Sequence, residues 1–505
     1  MTLLSRVFGL LRDIVLATYF GATGGTDAFL IAFKIPNFMR RLFGEGAISL
    51  AFVPVFSEYK ENRDKAALQD LVNHVAGTLG GFLLTLTILG MIFAPAVVYV
   101  FAPGFSKNPE QLQLTTDLLR ITFPYIFFIS LVALSGGILN SFHKFAVPAF
   151  TPVLLNICLI ASAFFLAPYF DEPLMALAWG VALAGLVQLL IQFPSLIKLG
   201  LMPIPKIKRG HEGVKKILRL MIPAIFGSSV AQINLLLDTI IASFLITGSV
   251  TWLYYSDRLL EFPLGVLGIA IATVILPTLS RQHARKSPEE FNITLNWALR
   301  LIALITIPAC VGLFILAGPI LATLFEYGKF STIDTYFASL SLMAYMLGLP
   351  ALITIKILAP GFYARQDTKT PVRIGIIAMV CNMFMNIAIV VPMVILDYEA
   401  PHVGLALATS LSAYINATLL YRGLRRGNVF QPESGWGAWI FRIIIASIAM
   451  AATIVWLNAD ATQWSQWQLA ERIINLAVII FTAIGAYFLV LWLQGLRPEQ
   501  LKKQN

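Results

Sequence analysis

Residues Gly80–Phe101 read GGFLLTLTILGMIFAPAVVYVF, twenty-two consecutive positions without a charged side chain. A helix needs about 20 mostly apolar residues to cross the hydrocarbon of a bilayer, and this stretch meets that length on its own. Ala149–Pro168, Met175–Gln192 and Ile474–Leu493 do the same. Because such runs recur from end to end, neither a leader peptide nor a single anchor accounts for them. The composition of the 505-residue chain agrees: 58% hydrophobic, 12% charged, mean hydropathy +0.80. A soluble domain, with roughly a quarter of its residues charged, does not look like this. The reading is an all-α polytopic membrane protein of about fourteen transmembrane helices.

The loops between spans sort into two alternating sets. One carries Lys60, Arg63 and Lys65, then Lys144, then Lys198, Lys206, Lys208, Arg209, Lys215 and Lys216. It continues through Arg281, Arg285, Lys286, Arg365, Lys369, Arg373, Arg422, Arg425 and Arg426 to a tail with Arg497, Lys502 and Lys503. The other set holds only Lys107 and Lys329, with acids at Asp171, Glu172, Asp397 and Glu399. Basic loops stay cytoplasmic. Both termini are therefore expected in the cytoplasm of an inner membrane, and the span count must be even. The net charge of +10 is read as topology and affinity for anionic headgroups, not as a nucleic-acid surface. Cys158, Cys310 and Cys381 lie inside apolar runs, at a spacing that suits neither a metal site nor a disulfide framework.

An internal repeat organises the chain. Asp27-Ala-Phe-Leu-Ile-Ala-Phe-Lys-Ile-Pro36 aligns without gaps to Tyr254-Tyr-Ser-Asp-Arg-Leu-Leu-Glu-Phe-Pro263. Each is followed by a closing Pro-x-x-Ser, at Pro54–Ser57 and at Pro277–Ser280. Downstream, Ile138-Leu139 with Thr151-Pro152-Val153 matches Ile357-Leu358 with Thr370-Pro371-Val372. Six spans, an even number, separate the copies, so the halves share one orientation and the pseudo-two-fold axis lies along the membrane normal. The expected division is an N-lobe of six spans over 1–200, a cytoplasmic linker over 201–215 and a C-lobe of six spans over 216–428. Residues 429–505 hold two unpaired spans and a tail. Two like lobes can expose a cavity alternately to either side.

Ionisable groups inside spans cost several kcal/mol and usually face a polar cavity or a partner. In the first lobe they are Arg6, Arg12, Asp13, Asp27, Lys34, Arg40, Arg41 and Glu45; in the second, Asp257, Arg258 and Glu261, with Tyr254 on the same face. Arginine keeps its charge and offers a planar fork that matches phosphate oxygens. A basic cavity lined by spans 1, 2 and 8 suits an anionic, phosphorylated substrate. Other readings stand beside this one: Arg40 and Arg41 as interfacial anchors, Asp13 and Glu45 as neutralising partners, Asp257 as a structural group.

A fainter constellation joins Asp238, mid-span in the seventh helix, to Asn382 and Asn386 on one face of the eleventh and Thr409 in the twelfth. A carboxylate with neutral oxygens is hard-ligand chemistry for a small cation; the competing reading is a hydrogen-bonded interhelical cluster. Trp436, Trp439, Trp456, Trp464 and Trp467 near span ends read as interfacial belts. No nucleotide loop, metal-ligand helix or nucleophile elbow occurs. Neither an enzyme nor a bound cofactor is expected.

Several strings now resemble a family. Ser5-Arg-Val-Phe-Gly-Leu-Leu-Arg-Asp13, Thr26-Asp27-Ala28-Phe29, Lys34-Ile35-Pro36-Asn37, Glu45-Gly46-Ala47 and Ala51-Phe52-Val53-Pro54 are similar to the MurJ/MviN lipid II flippases. So are Ala102-Pro103-Gly104-Phe105, Tyr255-Ser256-Asp257-Arg258 and Leu358-Ala359-Pro360-Gly361-Phe362-Tyr363. That family belongs to the multidrug/oligosaccharidyl-lipid/polysaccharide exporter superfamily, whose two six-helix lobes match the repeat. The resemblance implies a substrate, undecaprenyl-pyrophosphate bearing a disaccharide-pentapeptide, carried from the cytoplasmic to the periplasmic leaflet. It puts essential cavity arginines at Arg6, Arg12, Arg40 and Arg258, with acids at Asp27 and Glu261. It also implies a polyprenyl-tail groove formed by the last two spans. Some members have a sodium site, which maps onto Asp238, Asn382, Asn386 and Thr409.

The resulting expectation is a lipid II flippase working by alternating access, as a monomer among membrane lipids, reset by Na+ or by the membrane potential. The potential contributes about 2.3 kcal/mol per unit charge per 100 mV. A drug or polysaccharide exporter of the same superfamily is the main alternative. A membrane-embedded cell-wall glycosyltransferase is the other; it is disfavoured by the short outward loops.

Overall fold

A chain in lipid must satisfy its backbone within each segment, which leaves helices or closed barrels. The computed structural model describes residues 2–41, 48–207 and 210–497, and among them every regular element is helical. Glu45, Gly46, Ala47, Lys208, Arg209, Lys502 and Lys503, singled out above, lie outside the described residues.

The first helices are α1 (Thr2–Phe20), α2 (Gly24–Arg40), α3 (Ser49–Asn62), α4 (Lys65–Ile92), α5 (Ala94–Phe101), α6 (Pro109–Thr122) and α7 (Tyr125–Ser141). Next come α8 (Ala146–Ala161), α9 (Leu174–Leu190), α10 (Phe193–Leu199), α11 (Glu212–Ala242), α12 (Ser249–Pro263), α13 (Ile269–Ala284) and α14 (Pro288–Ile315). The last are α15 (Ala317–Phe325), α16 (Thr332–Tyr363), α17 (Lys369–Ile395), α18 (Val403–Arg426), α19 (Trp436–Leu457), α20 (Ala461–Gln466) and α21 (Leu469–Leu493). Among the described residues, ten helical stretches are long and apolar enough to span a membrane. The expected spans outside that ten are 2–20, 26–56, 216–246 and 250–280. Of these, 2–20 carries Arg6, Arg12 and Asp13, and the helices described within 26–56 and 250–280 are only 14 to 17 residues long.

Local chemistry sets the boundaries. Thr23 caps α2 by accepting from Thr26 N, and Asp64 caps α4 by accepting from Ala67 N, each satisfying an otherwise orphaned donor. Ser331 and Asp334 form a reciprocal capping box at the start of α16. Five-residue π-helical turns follow α8 at Ser162–Leu166 and α12 at Leu264–Gly268.

The chain divides into two compact units, Met1–Thr251 and Trp252–Asn505. The packing thus groups α11 with the first unit, whereas the repeat opens its second copy at 216. In the first unit α2 packs on α6, α7 and α9, α1 on α8, and α3 on α11. Its buried side chains include Phe29, Ile31, Ile35, Phe52, Phe56 and Tyr125. In the second unit α16 packs against α14 and α18, and α17 against α18. The last two long helices, α19 and α21, pack on each other and dock on α14 and α15. They enclose Ile443, Met450, Ile454, Ile479, Ala483 and Leu491, with Leu304 from α14. Tyr487 donates its hydroxyl to the Leu304 carbonyl (2.7 Å), and buried Arg472 donates to the Glu326 carbonyl (3.2 Å) just past the end of α15. The unpaired pair is thereby built into the second unit.

Candidate functional site

Arg12 lies on the buried side of α1, 6% exposed, beside fully buried Asp13. Its Nε and Nη2 both donate to Asp13 Oδ1 (2.9 and 2.6 Å), and its Nη1 donates to Asn156 Oδ1 of α8 (3.0 Å). Asn156 Nδ2 in turn donates to the Ser5 carbonyl (3.4 Å). A buried guanidinium is tolerable only when charge and hydrogen bonds are both answered, and here a neighbouring carboxylate and an amide do so. Asn156 carried no signal in the sequence, because its partners lie 144 and 151 residues away. Arg6 is half-buried six residues earlier, and among the described residues no hydrogen bond or ion pair engages it.

Asp27, at the start of α2, is 2% exposed. Its Oδ2 accepts from Gly248 N (2.7 Å), and its Oδ1 accepts from Thr251 N (2.9 Å) and Thr251 Oγ1 (2.6 Å). These donors belong to the turn before α12 and to its first helical turn, so Asp27 caps a helix more than two hundred residues away. The carboxylate also sits where a helix N-terminus favours negative charge. This structural task was not legible from α2 alone. Lys34 is half-buried seven residues further along the same helix, and half-buried Arg40 donates Nε to Asn37 Oδ1 (3.0 Å).

In the second unit, Arg258 donates Nη1 to Glu261 Oε2 (3.0 Å), one helical turn on. Their side chains are 33% and 48% exposed. Nearby, Trp252 Nε1 donates to Asp334 Oδ1 (2.9 Å) while its ring stacks on Phe337. Sequence reasoning did not single out this group, which fixes the start of α12 against α16.

The cation constellation is divided between the units. Asp238 is half-buried on α11 of the first. In the second, buried Asn386 donates Nδ2 to Asn382 Oδ1 (3.1 Å), and Thr409 has a buried Oγ1 with no hydrogen-bond partner among the described residues. Amide oxygens and one hydroxyl are donor types that a small hard cation takes.

The arrangement concentrates permanent positive charge on helices that otherwise read as spans, with partners that orient Arg12, Arg40 and Arg258. Comparisons with known proteins give this chemistry a context. A family model described as lipid II flippase MurJ matches residues 16–476. A protein of Haemophilus influenzae named as a probable lipid II flippase MurJ is 48% identical, with all of both chains covered. A solved structure titled lipid II flippase MurJ, inward closed conformation, is 31% identical, covers 97% of this chain and 96% of its own, and superposes with a TM-score of 0.81. A multidrug resistance MATE family transporter of the MOP superfamily, in an inward-facing conformation, covers 84% of this chain and 95% of its own. At 16% identity and a TM-score of 0.67 it shares the fold.

Proposed function

The chain belongs to the lipid II flippase MurJ family, and from that membership we propose that it is the lipid II flippase of a bacterial inner membrane, supplying peptidoglycan synthesis. The observation that carries this reading is likeness over the full length, at 48% identity to a relative of that name, together with the fold shared with a solved flippase. A carrier of this kind moves its substrate without making or breaking a covalent bond.

The proposal extends to how the substrate is held. Arg6, Arg12, Arg40 and Lys34 in the first unit and Arg258 in the second are the groups we assign to the pyrophosphate, with Asp27 and Glu261 setting their surroundings. Guanidinium forks replace the water that the phosphates lose. Asp13 and Asn156 hold Arg12 in one orientation, so ordering it on binding costs little. The polyprenyl tail stays in lipid throughout, against α19 and α21. Alternating access moves the headgroup from the cytoplasmic to the periplasmic side, with both termini cytoplasmic and the protein acting as a monomer. Coupling to Na+ or to the membrane potential accompanies this reading, with Asp238, Asn382, Asn386 and Thr409 as the candidate oxygen donors. A bound cation would supply positive charge that offsets the substrate's.

The test is depletion of the protein in cells, followed by measurement of which leaflet holds lipid II. Accumulation on the cytoplasmic side is expected. An unchanged distribution would overturn the proposal.

A further inference from the structure

The segment that enters α11 is fastened to α4 by several bonds. Asn73 Oδ1 accepts from Ile204 N (2.8 Å), and the Asn73 carbonyl accepts from Lys206 N (3.0 Å). Gln69 Nε2 donates to the Met202 carbonyl (2.7 Å). The approach at Gly77 is so close that a Cβ there would collide with the Lys206 backbone. Beside this seam stand three side chains outside the proposed substrate site: Asp70 and His74 on α4, and His211 at the N-cap of α11. The imidazoles of His74 and His211 stack with centroids 4.8 Å apart at 26°. His74 Nδ1 lies 3.3 Å from Asp70 Oδ2, and His211 Nε2 lies 3.4 Å from the same oxygen.

We propose that Asp70, His74 and His211 form a site for one divalent transition-metal ion of the zinc class, which pins His211, at the entry to α11, to α4. One ligand atom from each residue lies within 4.8 Å of the others. Zinc bonds to nitrogen and oxygen of about 2.0–2.1 Å place tetrahedral ligands roughly 3.3–3.4 Å apart, and the two measured edges have that length. Two imidazoles and a carboxylate select zinc-like ions over magnesium or calcium, which take oxygen sets. Asp70 is half exposed and opens the site to solvent, whereas His74 is 7% and His211 14% exposed. That leaves a fourth position for water. Loading exchanges two hydrogen bonds, His74 Nδ1 to the Asp70 carbonyl (2.8 Å) and Val214 N to His211 Nδ1 (3.4 Å), for three coordinate bonds.

The experiment is equilibrium dialysis of the purified full-length protein, carrying no histidine tag, against Zn2+, with Co2+ absorption as a second reading of geometry. One ion per chain and a tetrahedral cobalt spectrum are expected. H211N keeps a side-chain oxygen for the helix cap and should weaken binding at least about tenfold, as should H74Q. Trypsin cleavage after Lys206 should slow on adding Zn2+ to the wild type and stay unchanged in H211N. Where H211N fails to fold, D70N replaces it as the ligand deletion. Absence of stoichiometric binding, or equal binding by wild type and the ligand variants, overturns the site.

Discussion

Two helices that the repeat pairs, α2 and α12, put matching positions to opposite uses. In α2, Asp27 and Ile31 are 2% and 0% exposed. Their counterparts in α12 are Tyr254 and Arg258, both half-buried, and a third of the Arg258 side chain is open. Lys34 corresponds to Glu261, so the charge is reversed. Both segments carry a proline at the matching place, Pro36 and Pro263. The repeat therefore preserves the backbone and reassigns the charges. α2 commits its acid to a buried, fully engaged cap, whereas α12 keeps a cation at an accessible surface with a weakly held partner. Within this pair of helices, burial separates the group that holds the structure, Asp27, from the group a ligand can take over, Arg258.

The largest expected effect is at the accessible end of this contrast. R258A should abolish rescue of cells depleted of the native protein while leaving membrane abundance and thermal midpoint unchanged. R258K should rescue in part, because the charge survives and the fork does not. Growth at the wild-type rate with R258A would erase the distinction drawn between the two helices.

Second comes the buried end. D27A strands the Gly248 and Thr251 donors in a dry environment, and charged hydrogen bonds of this kind contribute about 1.5–3 kcal/mol each. A lower thermal midpoint in detergent and reduced abundance are expected, with D27N falling between. An unchanged midpoint would show that the cap contributes nothing and that Asp27 belongs with Arg258. D13N follows: it leaves Arg12 beside a neutral oxygen that still accepts, with Asn156 unaffected. Because a buried guanidinium loses its counter-charge, the cost should be about 3–5 kcal/mol, read in the same melting experiment, and an unchanged midpoint would show that Asp13 does not hold Arg12.

Much of this was legible in the sequence. Helical class, membrane residence and the family follow from apolar runs and the strings around Arg12, Asp27 and Arg258, because those signals are local. What sequence could not supply was the partner of each charge. Asn156 for Arg12, Gly248 and Thr251 for Asp27, and His211 for Asp70 are all separated by more than a hundred residues, and no periodicity links them. The segment 201–215 reads as a linker from its polarity and from Pro203, Pro205 and Gly210. That composition holds no hint that Asn73 and Gly77 of α4 receive its backbone.

The smallest expected effect tests whether Arg258 is as available as its exposure implies. A half-exposed ion pair one turn apart contributes under about 1 kcal/mol, since water screens it and two flexible side chains must be ordered to form it. E261Q should therefore leave the thermal midpoint within error. It should also remove the local competitor for the guanidinium, so the purified variant should bind lipid II no more weakly than wild type, with a changed dependence on salt. A measurable drop in stability together with weaker binding would mean that Glu261 positions Arg258 for the substrate. In that case α12, like α2, would rely on a fixed acid, and the two helices would differ in exposure alone.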